Sequence, residues 1–257
     1  MSAPVTVAAV QMDLVWEDRA ANHAAARRWA EQAVAGGAGV VVLPEMFATG
    51  FSMNPAVTAE PADGPTPTFL RALARDLGVT VIGGYVRDAG GGLGANTALA
   101  VGPDGGDLAA YVKTHLIGIL GEDRAHVAGD RPCPFTAAGV PAACFVCYDL
   151  RFPELFRLVA ADVAMMVVIA SWPAARQRHW DALLAARAIE NQCWVVGVNR
   201  VGEGGGLAFT GGTAIIDPLG QIVAHGGQTA GLVTAVVDAD RVATVRRDFP
   251  FLGDRRF

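Results

Sequence analysis

Ala143-Cys144-Phe145-Val146-Cys147-Tyr148-Asp149-Leu150-Arg151-Phe152-Pro153-Glu154-Leu155 is the stretch around which the rest of the chain is read. Up to Cys147 it is small and apolar, which suits a buried strand. Beyond it, Asp149 and Pro153 mark a turn and then a helix start. The pattern sets a thiol at a strand-to-helix corner. Unpaired N–H groups and the positive end of a helix dipole favour a thiolate and a nearby oxyanion there. A free cysteine is more often a small buried hydrophobe, so Cys147 by itself decides nothing.

Two other strand ends answer to it. Val40-Val41-Val42-Leu43 is a continuous, mostly β-branched run that closes in Pro44-Glu45-Met46-Phe47, and Ala109-Ala110-Tyr111-Val112-Lys113-Thr114-His115 closes in a lysine. Carboxylate, ammonium and thiol are the parts needed for acyl transfer through a thioester.

LPEMF, YVKTHL and CYDLRFPEL, in that order, resemble the three signatures of the nitrilase superfamily of carbon–nitrogen hydrolases. Thr49–Met53 (TGFSM), Ser171–Gln192 (SWPAARQRHWDALLAARAIENQ) and the NRVG from Asn199 narrow the resemblance to the bacterial omega-amidase branch. It implies a four-layer α-β-β-α sandwich, two sheets face to face with helices outside, which periodicity could not separate from a doubly wound sheet. It implies Cys147 as nucleophile, Glu45 as base, and Lys113 and the backbone N–H of Tyr148 as oxyanion donors; a second carboxylate and a sheltered cleft raise the basicity of the first, so a neutral-to-alkaline optimum is expected. A second glutamate is expected after the lysine strand; Glu122 matches it, with Asp123 as the fallback, although Ile117 stands where an aromatic is common. The implied substrates are small amides with a distant carboxylate, such as 2-oxoglutaramate or 2-oxosuccinamate, hydrolysed without a cofactor. Other aliphatic amides, N-carbamoyl compounds and nitriles are the related alternatives, and a scaffold that kept the fold is the non-enzymatic one. Arg176 and Arg178, after the Ser171-Trp172-Pro173 turn, are the cations placed to meet the carboxylate, and Trp172 and Phe47 to line the pocket. For the two arginines a solvated helix face is an equal reading. His115 and His179 receive no catalytic role, and Asp149, Arg151 and Glu154 read as an ion-pair and capping set. The resemblance also implies at least a homodimer, with the helix after Cys147 and the C-terminal tail as contact candidates.

Composition bounds the alternatives. Of 257 residues 52% are hydrophobic and 18% charged, with net charge -5; this is a core-forming chain with no basic run to suggest nucleic acid. No basic n-region opens it, and the longest apolar run, near Val163–Ala170, is strand length, so neither signal peptide nor membrane span is expected. Cys144 and Cys147 have CxxC spacing, but Cys144 lies inside the apolar run and no second CxxC or close His pair follows, which argues against a redox or zinc site. Reduced thiols in a cytoplasm and no metal are expected. Gly90-Gly91-Gly92 lacks the Lys-Ser/Thr of a phosphate loop and reads as a hairpin.

Strand–helix alternation runs through the chain without a composition break, so one domain over residues 1–257 is expected. The predicted strands are Val5–Gln11, Val40–Leu43, Val79–Val86 (interrupted at Gly83-Gly84), Asn96–Val101, Leu108–Lys113, Ala142–Val146, Val163–Ala170, Trp194–Asn199, Thr213–Ile216, Gln221–Ala224 and Leu232–Val237. The predicted helices are Ala20–Ala35, Pro65–Leu77, Pro153–Ala161, Ala174–Gln192 and Asp238–Arg247. Residues 49–65, 114–134 and 202–206 read as loops.

Overall fold

A period of two along the strands organises the architecture. The computed structural model describes residues 3–256. One sheet runs in the order β15 (Gly231–Val237), β1 (Val5–Gln11), β2 (Val40–Val42), β4 (Thr80–Gly90), β5 (Leu93–Val101) and β6 (Asp107–Val112), with the two-residue β3 (Ala59–Glu60) beside β4. The other runs β14 (Ile222–His225), β13 (Ala214–Ile216), β10 (Trp194–Val198), β9 (Met165–Ile169), β8 (Val140–Val146) and β7 (Pro134–Ala137). Val7 and Ala9, Val40 and Val42, Ala98 and Ala100 turn inward to one core cluster with the second sheet. Ala8 and Val10, Val41 and Leu43, Leu99 and Val101 turn outward, to a cluster with α1 (Arg19–Ala35) and α3 (Pro65–Leu77). Helix α6 (Gln177–Asn191) covers the far face of the second sheet, buried through Trp180, Leu184, Ala188 and Asn191. This is the α-β-β-α sandwich. All five residues of β9 are buried, because that strand has cover on both faces.

Several elements differ from the sequence-based expectation, each for a local reason. Gly83 and Gly84 lie within an unbroken β4. A side chain at Gly84 would meet the Met46 nitrogen at 2.6 Å and the Glu45 Cα at 2.7 Å, so the glycine lets the segment after β2 lie flat on its neighbour. The expected loop at 49–65 contains α2 (Pro55–Thr58) and β3. That at 114–134 contains a 3-10 turn (Gly118–Leu120) and α4 (Glu122–Ala125). Residues 202–206 are largely a hairpin of β11 (Val201–Gly204) and β12 (Leu207–Thr210). The helix after Cys147 is short: a 3-10 turn over Cys147–Arg151, then α5 over Pro153–Arg157. On α6 the buried stripe includes Arg187, while Ile189 is 54% exposed. Arg187 donates to the Leu150 carbonyl at 2.6 Å and to Glu190 at 2.7 Å, holding the turn after Cys147 from behind. The chain ends in α7 (Ala239–Asp248) and a 3-10 turn over Phe251–Asp254.

Gly84→Ala tests the close approach of β4 to Glu45. Because the atoms in its way are backbone, the variant is expected to lose at least about 1–3 kcal/mol of stability, the usual cost of overpacking. A shift of the urea midpoint at constant slope is the measurement; an unchanged midpoint would refute the contact.

Candidate active site

The site assembles from the ends of three strands and one loop. Leu43 and Pro44 extend β2 so that Glu45 leaves the sheet beside Gly84, with the Gly84 nitrogen donating to the Pro44 carbonyl at 3.1 Å. Lys113 follows β6 directly, its nitrogen donating to the Asn96 carbonyl of β5 at 2.8 Å. Cys147 follows β8 and turns the chain with φ of +48°, as Met46 does after Glu45 with φ of +45°. Non-glycine residues pay for left-handed backbone unless the surroundings enforce it. At Cys147 the enforcing group is Asp149. Its carboxylate accepts from the Val146 nitrogen at 3.1 Å, the Tyr111 hydroxyl at 2.7 Å and the His115 nitrogen at 2.9 Å. Asp149 thus ties the Cys147 turn to the strand that delivers Lys113.

Glu45, Lys113 and Glu122 are all fully buried and meet in one network. The Lys113 ammonium donates to Glu45 Oε1 at 3.1 Å and to both oxygens of Glu122 at 2.8 Å. Glu45 Oε2 accepts the Ser171 N–H at 2.7 Å, and Glu122 Oε2 accepts the Ile117 N–H at 2.8 Å. The Cys147 thiol reaches the Glu45 carboxylate and, at 4.0 Å, the Ser171 carbonyl. Two carboxylates share one ammonium, and that imbalance sets the electrostatics. Burial holds the Glu45 carboxyl above its ordinary range against the pull of Lys113, with the Glu122 charge adding to the rise. Glu122, with direct hydrogen bonds from the ammonium, stays below the ordinary range despite its own burial. Burial and then the Glu45 charge keep the Cys147 thiol well above its ordinary value. The resting sulfur is therefore a thiol, and the more basic of the two carboxylates lies beside it.

The opening beside the sulfur is a narrow pocket with about 270 Å³ of empty space, lined chiefly by Phe51, Ile117, Tyr148, Arg151, Trp172 and Arg176. A larger cleft, about 1220 Å³ by the same measure, lies between α5 and the C-terminal turn and holds no nucleophile. Trp172 lines the pocket, its N–H and carbonyl held by Asn199 at 2.7 and 3.1 Å. Phe47 does not. It points to the outer face of the first sheet, among Leu70 and Phe69, because positions 45 and 47 leave the strand end on opposite sides. Phe51, over the Lys113 ammonium at 5.2 Å from the ring centre, stands in the pocket instead. Arg176 reaches the pocket, whereas Arg178 and His179 are exposed on α6. Arg151 is no capping residue: its guanidinium lies over the rings of Trp172 at 4.7 Å and Tyr148 at 5.6 Å. Glu154 faces the larger cleft. Asp123 lies on the exposed side of the 3-10 turn and α4, away from Lys113. His115 bonds Asp149 and stacks on Phe152, 3.7 Å between ring centres.

A profile of the carbon-nitrogen hydrolase family matches residues 6–247. The chain belongs to the carbon–nitrogen hydrolase family. It is 35% identical over 221 residues to the 2-oxoglutaramate amidase of Bacillus subtilis, covering 85% of each chain. To an omega-amidase of Yersinia enterocolitica it is 39% identical over 218 residues, covering 84% of this chain and 83% of the other. Among solved structures it is similar to a CN-hydrolase superfamily protein of Xanthomonas campestris with an arsenic adduct in its active site (TM-score 0.93, 34% identity, 99% of this chain and 98% of that one). It also resembles the amidase of Nesterenkonia sp. AN1, seen as a double mutant in complex with acrylamide (TM-score 0.89, 28% identity, 98% and 94%).

Within this carbon–nitrogen hydrolase, motif reading passes over two groups that complete the network. One is the Ser171 N–H, which no side-chain pattern reveals. The other is Asn96, buried at the start of the inner stretch of β5, whose carboxamide donates to Glu45 at 2.8 Å and to Glu122 at 3.0 Å. A polar residue opening an apolar strand was the only signal for it. Among the described residues no cluster of three or more His, Cys, Asp or Glu side chains could hold a metal ion.

Lys113→Met tests the shared ammonium. Without it the two carboxylates face each other uncompensated, and the variant is expected to lose about 3–5 kcal/mol. Both carboxyls would then be raised in the folded state above their unfolded values, so their stabilisation is present at low pH and lost as pH rises. In the parent protein Glu122 is lowered and contributes in the opposite sense. The stability gap between the two proteins should therefore widen from about pH 5 to about pH 8 in urea melts. A gap independent of pH would contradict the arrangement.

Proposed function

We propose that this hydrolase is an amidase that cleaves the terminal amide of small carboxylate-bearing substrates, such as 2-oxoglutaramate or 2-oxosuccinamate, through a Cys147 thioester. The observation that carries the reading is a buried Glu45–Lys113–Glu122 network beside Cys147, opening on a pocket with two arginines at its wall. The relatives' names point to the same chemistry.

The Cys147 sulfur attacks the amide carbon while its proton passes to Glu45. A C–S bond forms, and the carbonyl electron pair moves onto oxygen, where the Lys113 ammonium and the Tyr148 N–H stabilise it. As the oxyanion collapses the C–N bond breaks, and Glu45 returns the proton to the departing nitrogen, releasing ammonia. Water then adds to the thioester with Glu45 accepting its proton. The C–S bond breaks, the acid leaves, and the thiolate takes that proton back. Glu122 keeps Lys113 charged and in register. Arg151 and Arg176 receive the distant carboxylate; the first is pre-set by its two aromatic supports, which lowers the ordering cost of the contact.

We place the protein in the cytoplasm, where its four free thiols would stay reduced, and we propose a homodimer. Phe251 (63% exposed) and Phe249 (45%) gather with Ile189, and Leu158 (69%) lines the cleft between α5 and the C-terminal turn with Leu252, apolar surface that a second copy would cover. No helix among the described residues is long and apolar enough to cross a membrane.

Purified protein is expected to release ammonia from 2-oxoglutaramate far faster than from a carbamoyl amine or an aliphatic nitrile. With Glu45→Gln, mass spectrometry should find the acyl group on Cys147. Arg151→Leu is expected to raise KM roughly 10- to 100-fold, the worth of one charge-assisted contact, with a smaller change in kcat. Preference for a substrate without a carboxylate would defeat the assignment. A monomer mass in sedimentation at micromolar concentration would defeat the dimer.

A further inference from the structure

The network around Glu45 is not symmetric, and Asn96 is the reason. Glu45 Oε1 accepts two donors, the Lys113 ammonium at 3.1 Å and the Asn96 carboxamide nitrogen at 2.8 Å. Glu45 Oε2 accepts one, the Ser171 N–H. The same two donors also reach Glu122 Oε1, at 2.8 and 3.0 Å. A carboxamide NH₂ has two hydrogens, and here each goes to a different carboxylate. The orientation of the amide follows, since its oxygen could donate to neither; that oxygen is buried and has no partner. Asn96 belongs to β5, where its carbonyl accepts the Lys113 N–H. One residue therefore touches all three charged members of the site.

We infer that Asn96 is a positioning residue for the reaction: it saturates Oε1 of Glu45 and ties that oxygen to Glu122, leaving Oε2 to take the Cys147 proton. The inference rests on the amidase reading for its chemistry. An oxygen with two donors has no lone pair free for a third. Cys147 approaches from the Ser171 side, where Oε2 lies. The incoming proton is thereby kept on the face from which it must next reach the leaving nitrogen. A neutral donor suits the position better than a second cation. It separates two carboxylates that would otherwise share a proton, and it adds no charge that would make Glu45 too weak a base. Its hydrogen bond lowers the basicity of Glu45, against the larger effect of burial.

The test compares Asn96→Ala and the isosteric Asn96→Asp with the parent enzyme, by the pH dependence of kcat/KM and, without substrate, of Cys147 alkylation by iodoacetamide. In Asn96→Ala the acid limb of both profiles should move up by about one pH unit, as one hydrogen bond to the charged form is lost. In Asn96→Asp, which adds a third carboxylate, it should move further. At the optimum kcat should fall roughly 10- to 100-fold, the worth of one hydrogen bond to a charged group, with KM little changed. Profiles superimposable on the parent's, with loss of rate tracking only loss of folded protein, would reduce Asn96 to a structural residue and overturn the inference. If neither variant folds, NMR of the parent protein decides. Both carboxamide protons should be protected from exchange, and one in fast exchange would overturn it. The alkylation and NMR arms need no turnover, so an absence of amide hydrolysis in the parent would count against the proposed function and leave Asn96 separately decided.

Discussion

A single buried ammonium between two carboxylates is the constraint on which the site depends. Lys113 sits at the end of β6 with no solvent access, 3.1 Å from Glu45 and 2.8 Å from Glu122. Charges so placed would be prohibitively costly alone and are tolerated together because each is satisfied by directed donors. One negative charge remains in excess, and the surroundings assign it unequally. Glu122 collects the ammonium, Asn96 and the Ile117 N–H and stays anionic. Glu45, with one longer contact to the ammonium and full burial, is pushed toward the protonated form. The pair becomes one fixed anion and one base from two residues of the same type.

The fold supplies the rigidity that such an arrangement needs. Glu45, Lys113 and Cys147 each follow a strand whose position is set by the packed interior between the two sheets. The strained backbone at Met46 and Cys147 is held by neighbours on other strands: Gly84 admits the first, and Asp149, bonded to Tyr111 and His115, clamps the second. Arg187 of α6 adds a hold on the Leu150 carbonyl from outside. Side chains on such supports keep their geometry better than side chains on free loops. The pocket is built differently, from the turns after Glu45, Lys113, Cys147 and β9, so its lining comes from segments that vary more readily than the core.

How much of this was legible beforehand depends on the physical scale of each feature. The runs at Val5–Gln11 and Pro65–Leu77 agree with the observed elements at both ends, because apolar periodicity, Pro at the helix start and Gly78 at its end are local signals. Glu45, Lys113 and Cys147 stood out because each closes an apolar run. Phe47 and Arg151 were misplaced for a common reason: their direction depends on how the chain leaves a strand or turn, which residue type does not encode. The burial of Arg187 follows from a carbonyl that only the folded turn presents.

By itself, then, the sequence determined which segments are buried and paired, and that an acid, an amine and a thiol end three of them; these follow from side-chain chemistry and spacing along one segment. Only the tertiary structure decided that Asn96 and the Ser171 N–H join them, that Glu45 rather than Glu122 is the basic carboxylate, and that Arg151 faces the pocket. Each of those depends on distances between segments far apart in the chain. Burial and donor count are properties of the place a residue reaches, which its local sequence does not carry.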